Sequence, residues 1–197
     1  MRGGAGGWVI IVDMLEPYES ENLIFIDTEF TDLDPYTGEI LSIGIAKLSG
    51  EELYLELECD AKPTEWVTKN IIPTLKEPKV SRDEAIVLIT EFLDDAQPFA
   101  VGFVDNYDAI YMTKIFGAGQ LPFRWVTIDF ASILFAIGIN PVKFLQDQSG
   151  ARSFYKKLGI DMNKYRQHHA LDDARLLREA WMKISATKKE TSPDIGT

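Results

Sequence analysis

Apolar residues along this chain fall into two periods, and the changes of period mark its elements. Leu23-Ile24-Phe25-Ile26 is an unbroken apolar run, which predicts a strand buried on both faces. A polar, turn-rich segment follows over Thr31–Gly38, and Ile40–Ala46 then predicts a second strand. Leu53, Leu55 and Leu57 alternate with Tyr54, Glu56 and Glu58, so Glu52–Cys59 reads as a third strand with one face to the core and one to solvent. The short turn Ser49-Gly50-Glu51 makes these two an antiparallel hairpin. The period then lengthens. Thr64 caps a predicted helix through Trp66–Ile72, stopped by Pro73. Ser81-Arg82-Asp83-Glu84 forms a capping box ahead of Ala85, Ile86, Leu88, Ile89, Phe92 and Leu93, a helix ending near Asp95. Phe99–Val104 predicts a fourth strand, parallel to the first through this crossover. A helix over Tyr107–Phe116, a fifth strand at Trp125–Ile128, helices over Phe130–Ile137, Pro141–Asp147 and Ser153–Leu158, and a last helix over Ala170–Ile184 complete the order. The expectation is one α/β domain over residues 22–184. Its mixed five-stranded sheet has strands one, two and three antiparallel and strands one, four and five parallel, with helices on its faces.

The ends read differently. Met1–Gly7 is glycine-rich, and residues 1–21 are expected to be a flexible N-terminal extension. Trp8–Val12 is apolar but short for a signal-peptide core, and Asp13, Glu16, Glu19 and Glu21 follow it, so an extension or a misassigned start codon upstream of the first strand is expected, with an edge strand at Trp8–Asp13 left open. Residues 185–197 read as a polar tail.

Composition changes this picture little, with 46% hydrophobic and 26% charged residues, ordinary for a globular protein. The single cysteine, Cys59, permits no intramolecular disulfide and fits a cytoplasmic location. No apolar run approaches the roughly 20 residues of a membrane span, so no membrane partner is expected. Charge is more informative. A net charge of −11 argues against coating long nucleic acid with a broad basic face. It leaves room for an enzyme that handles a few nucleotides through metal ions.

The candidate chemistry is acidic. Asp27 and Glu29 follow the first apolar run at i and i+2, positions that project from one face of a strand. Two like charges on a buried strand repel and lose hydration, which calls for a cation between them; solvated acids in a loop after Ile26 are the plain alternative. Asp108 opens the helix after the fourth strand, where it either caps the helix or faces a ligand at the strand's carboxyl end. In the last helix Asp173 shares a face with Leu176, Leu177 and Ala180, whereas Asp172 falls with Arg175, Glu179 and Lys183 on the side expected to be solvated. The only two histidines, His168 and His169, stand just before this helix.

Taken together, Asp27-x-Glu29, Asp108 and His168-x-Ala170-x-x-Asp173-Ala174 resemble the three motifs of the DEDDh 3′→5′ exonucleases, in order and at suitable spacing over residues 22–184. Tyr107-Asp108 stands where Phe-Asp is common, and Leu158-Gly159-Ile160 resembles the lead-in to the third motif. Asp-Thr-Glu-Phe and Trp66-Val67-x-x-x-Ile71-Ile72-Pro73 look most like the small bacterial exoribonucleases of the RNase AS type. Phe103-Val104-Asp105-Asn106 departs from the His-Asn of many members. The resemblance implies a ribonuclease H-like fold and two divalent cations, Mg²⁺ or Mn²⁺, held by Asp27, Glu29, Asp108 and Asp173, with oxygen donors that suit such ions. It implies His168 as general base in an in-line displacement releasing nucleoside 5′-monophosphates, with His169 as an uninvolved neighbour. Thr28, Phe30 and Leu33 are placed to touch the terminal bases, Phe30 having a core role as its alternative. The expected partner is single-stranded RNA, with adenine-rich 3′ ends suggested by the RNase AS likeness, or else a DNA 3′ end. Related enzymes often pair, so a homodimer is expected. A binding module without catalysis would be marked by loss of a carboxylate or the histidine, and all five are present.

Overall fold

The computed structural model describes residues 22–146 and 148–191. The extension 1–21, the candidate strand at Trp8–Asp13 and residues 192–197 lie outside them. The sheet has six strands in the order β4-β3-β2-β1-β5-β6. They are β1 (Leu23–Phe30), β2 (Ile40–Lys47), β3 (Glu52–Leu57), β4 (Lys79–Val80), β5 (Phe99–Gly102) and β6 (Ile128–Asp129). β1, β2 and β3 run antiparallel; β5 lies parallel beside β1, and β6 parallel beside β5. The mixed architecture is the expected one.

The strand count is corrected from five to six. β4 pairs only Lys79 and Val80 with Glu56 and Leu57, too short a ladder for an alternating pattern to register. The strand expected at Trp125–Ile128 forms instead at Ile128–Asp129, opposite Val101 and Gly102, and Trp125 stands 86% exposed before it.

β1 has helices on both faces because its apolar run fills both sides. Ile24 and Ile26 pack with Ala85, Ile89 and Leu93 of α2 (Arg82–Leu93) and Tyr111, Met112 and Ile115 of α3 (Asn106–Phe116). Leu23 and Phe25 pack with Phe130 and Leu134 of α4 (Phe130–Ala136) and Ala174, Leu177 and Ala180 of α7 (Ala170–Thr191). Between β3 and β4 lies α1 (Glu65–Asn70); α5 (Pro141–Gln146) and α6 (Gln148–Lys157) lead from α4 towards α7. The predicted caps form: Thr64 Oγ1 accepts from the Val67 amide at 3.3 Å and Ser81 Oγ from the Glu84 amide at 3.2 Å.

Two further readings are corrected. α7 runs past Ile184 to Thr191; its last turns keep good helix formers but need no apolar stripe once they leave the sheet. Glu56 faces no solvent: it is 2% exposed, and its Oε1 accepts from the amides of Lys76 and Glu77 at 2.7 and 3.0 Å and from the Tyr54 hydroxyl at 3.0 Å. The chain after β3 folds back over that face, and a buried carboxylate persists there because it satisfies backbone donors.

Candidate active site

The site forms where β1 outruns its neighbour. β5 accompanies β1 only as far as Phe25↔Val101, so Asp27 and Glu29 lie beyond the parallel ladder, at the carboxyl end where α/β sheets open. The third carboxylate comes from the first turn of α7. That helix can approach because β2 carries Gly44: a Cβ there would stand 2.2 Å from the Leu171 nitrogen and 2.3 Å from the Ala170 carbonyl carbon. The close crossing brings oxygens of Asp27, Glu29 and Asp173 within 4.8 Å of one another.

Asp108 completes the set from α3 by a different route. It is 6% exposed, and its Oδ1 accepts from the Thr28 amide at 2.9 Å and the Thr28 hydroxyl at 2.6 Å. Thr28 therefore points away from the Asp27 and Glu29 face and ties α3 to β1. Among the described residues Asp108 is not one of the three converging carboxylates, yet its charge reaches Asp27 and Glu29.

Burial, and then mutual repulsion, dominate the electrostatics. Asp27 is raised well above the ordinary carboxylate range by desolvation, then by Asp173, Asp108 and Glu29. Glu29 rises to about 8 by burial and the charges of Asp173 and Asp108. Asp108 and Asp173 each rise to about 7 by burial, against the amides that hydrogen-bond to them. Without a cation Glu29 keeps its proton at neutral pH, and Asp108 and Asp173 titrate around that pH. A divalent cation fits: the donors are all carboxylate oxygens, they converge, and their repulsion is what a positive ion relieves.

His168 lines the same cavity of about 500 Å³ as Asp27 and Asp173. Its backbone is left-handed (φ 55°), its carbonyl accepts from Thr74 Oγ1 at 3.0 Å, and the ring meets Trp66 edge-on at 5.0 Å. Partial desolvation lowers its pKa, so the ring is neutral and able to take a proton at pH 7.

The neighbouring residues correct the reading of this loop. Asp172 is not solvated: it is 5% exposed and bridges Arg166 at 2.6 Å and Arg175 at 2.8 Å. His169 is 3% exposed, stacks on Tyr54 at 4.4 Å, and accepts the Asp172 amide on Nδ1 at 3.4 Å. Helical periodicity registers only the sheet beneath α7, not the preceding loop that folds over its first turn. Phe30 stacks on Tyr111 at 4.5 Å and leans on Tyr107, packed against the core that holds Ile24 and Ile26. Leu33 is 61% exposed on the loop after β1, which the Tyr111 hydroxyl pins through the Asp32 carbonyl. The departure at Phe103-Val104-Asp105-Asn106 is a tight turn: Val104 has φ 58° and donates its amide to Asp129 Oδ1 at 3.0 Å, while Asp105 is buried ahead of α3.

Arg152, Tyr155, Phe103 and Gln167 also line the cavity. Sequence reading missed Arg152, Tyr155 and Gln167 because nothing in their segments marks them, and it met Phe103 only as the start of a departure from the motif; Phe103 stacks on Phe144 at 5.4 Å beside them.

A family model for exonucleases, RNase T, matches residues 24–180. The chain is 27% identical over 177 residues to DNA polymerase III PolC-type of Thermotoga maritima, covering 85% of this chain, and 24% identical over 183 residues to its Thermotoga petrophila counterpart. It spans 12% of the length of each relative. Among solved structures it is similar to the zinc-bound E. coli ExoI–ssDNA complex, with a TM-score of 0.61 at 14% identity over 86% of this chain and 41% of that one. It is also similar to the RNase domain of yeast Pop2, with a TM-score of 0.54 at 12% identity over 88% of this chain and 80% of that one. The fold is the ribonuclease H-like one these exonucleases share.

Proposed function

This chain belongs to the exonuclease family, a family of metal-dependent nucleases, and from that premise we propose that it is a 3′→5′ exoribonuclease acting on single-stranded RNA and releasing nucleoside 5′-monophosphates. The observation that carries this is the convergence of Asp27, Glu29 and Asp173 on one another beside a cavity that Asp27, Asp173 and His168 line. Asp27, Glu29, Asp108 and Asp173 would hold two Mg²⁺ or Mn²⁺ ions. When bound, such ions lower the pKa of water and neutralise the charge that develops on the phosphate. The chain's own part is positional. β1 and the first turn of α7 fix three carboxylates against one another, and Thr28 holds Asp108 in orientation. His168, neutral and held by the Thr74 hydroxyl and the Trp66 ring, takes the proton from the attacking water.

The RNA reading rests on the likeness of Asp27-Thr28-Glu29-Phe30 and Trp66–Pro73 to the RNase AS type, which also suggests adenine-rich 3′ ends and a homodimer. A DNA 3′ end is the second reading, favoured by the PolC-type relatives. The test is a 5′-labelled single-stranded RNA and its DNA equivalent, incubated with Mg²⁺, Mn²⁺ or EDTA beside Asp27→Ala and His168→Ala. A metal-dependent ladder shortening from the 3′ end, faster on RNA and lost in both variants, is expected. Faster loss of DNA would select the second reading, and two intact polymers would end both. Light scattering coupled to gel filtration tests the dimer.

A further inference from the structure

Within the acidic chain a basic segment lies next to the cavity, and its Arg152 lines it. Residues 141–166 hold Lys143, Arg152, Lys156, Lys157, Lys164 and Arg166 against Asp147 and Asp161, in a protein of net charge −11. Arg166 is neutralised by Asp172. Arg152, Lys156, Lys157 and Lys164 are exposed, and none of them pairs with a carboxylate among the described residues. Within α6, Arg152 and Lys156 stand four residues apart on one helix face. Arg152 lines the cavity itself, with Ala151 and Tyr155 of the same helix, and shares it with Asp27 and Asp173. Among the described residues its guanidinium makes one long hydrogen bond, 3.5 Å to Asn163 Oδ1, which leaves the fork open on that count to a planar, bidentate acceptor.

Arg152 at the cavity and Lys156 one turn further along the same helix face repel each other, and that arrangement is relieved by an anion. The carboxylates would repel a strand's phosphates, so a nucleic acid entering this cavity meets them least where Arg152 lines it. We propose that α6 and the loop to Lys164 form a backbone track for the strand on the 5′ side of its terminal nucleotide, with Arg152 as the first phosphate contact and Lys156 and Lys164 continuing it. A track of this kind reads phosphate spacing and not bases. It makes affinity grow with strand length beyond the terminal nucleotides. The proposal rests on the nuclease reading for the position of the 3′ end, and binding tests it apart from cleavage.

The experiment compares a 5′-fluorescent single-stranded RNA of about twelve nucleotides, within the span of known single-strand sites, with a labelled dinucleotide. Anisotropy is measured in Ca²⁺ across a salt series, for the wild type, Arg152→Gln, Arg152→Lys and the double variant Lys156→Gln/Lys164→Gln. Arg152→Gln is expected to weaken the longer strand about tenfold, leave the dinucleotide within about twofold, and flatten the slope of log affinity against log salt by about 0.7 per lost phosphate contact. Arg152→Lys should recover the salt slope and part of the affinity. Where cleavage is measured, the loss should fall on KM with kcat kept. Equal weakening of both ligands, an unchanged salt slope, or a longer strand that binds no better than the dinucleotide would overturn the track. A wild type that binds the longer strand with the expected salt slope yet cleaves nothing would keep the track and end the nuclease reading.

Discussion

At the residue scale the site is a balance of repulsion held by local bonds. Glu29 is 8% exposed with its pKa at about 8, so in metal-free protein it carries a proton that the unfolded chain releases near pH 4. Its contribution to stability is therefore fully present below that pH and is lost as pH rises through about 8. Asp108 and Asp173 follow the same sign through about 7. In EDTA, the melting temperature should fall between about pH 5 and pH 8 more steeply for the wild type than for Glu29→Gln, which keeps the shape and removes the titration. Thr28→Val deletes one of the two bonds that orient Asp108, and calorimetric titration with Mn²⁺ should show affinity about tenfold weaker. For His168→Ala, single-turnover cleavage should slow by about 10²–10⁴ with little change in Mn²⁺ affinity, as expected of a group that moves a proton and holds no metal.

At the element scale, the catalytic arrangement depends on how closely α7 crosses β2. Gly44 leaves no room for a methyl group, the obstacle being backbone of Ala170 and Leu171 and not a side chain that could swing aside. Gly44→Ala should push the first turn of α7 outward, carrying Asp173 and the His168 loop with it. The expected result is a folded protein, by circular dichroism, with Mn²⁺ binding and cleavage both lost. Ser81 offers the contrast. Its hydroxyl caps α2 far from the carboxylates, so Ser81→Ala should cost about 1 kcal/mol in urea unfolding and leave turnover unchanged. The ion pairs of Arg175 and Arg178 with Glu52 tie α7 to the start of β3 and fix its direction rather than adding much stability.

For the molecule as a whole, the two cores on either side of β1 supply the stability that lets four acids gather at its end. A cation bound only by the folded chain adds to that stability by mass action, about 2.7 kcal/mol at a hundred times its dissociation constant. Mn²⁺ should therefore raise the melting temperature of the wild type and not that of Asp27→Ala. Charge is distributed at this scale too. The excess of acids is spread over the surface, while the basic residues of 141–166 gather beside the cavity, so a single net charge describes neither face.

The apolar run of β1, the capped α2, the acid pair Asp27 and Glu29 and the stripe position of Asp173 were legible from strand and helix periods, which are local properties; Asp108 joined them only through the likeness to the exonuclease motifs. The order of the antiparallel hairpin and the parallel crossover followed from connection lengths. Only the tertiary structure decided what depends on elements distant in sequence. It placed a sixth strand of two residues, buried Glu56 beneath the returning chain, and turned Asp172 and His169 from presumed bystanders into the buried frame of the His168 loop. It also moved Thr28 from the substrate side to the support of Asp108, and brought Arg152 to the cavity wall. Periodicity records one partner surface at a time; burial on a second surface, and the meeting of residues from separate segments, arise only when the chain closes on itself.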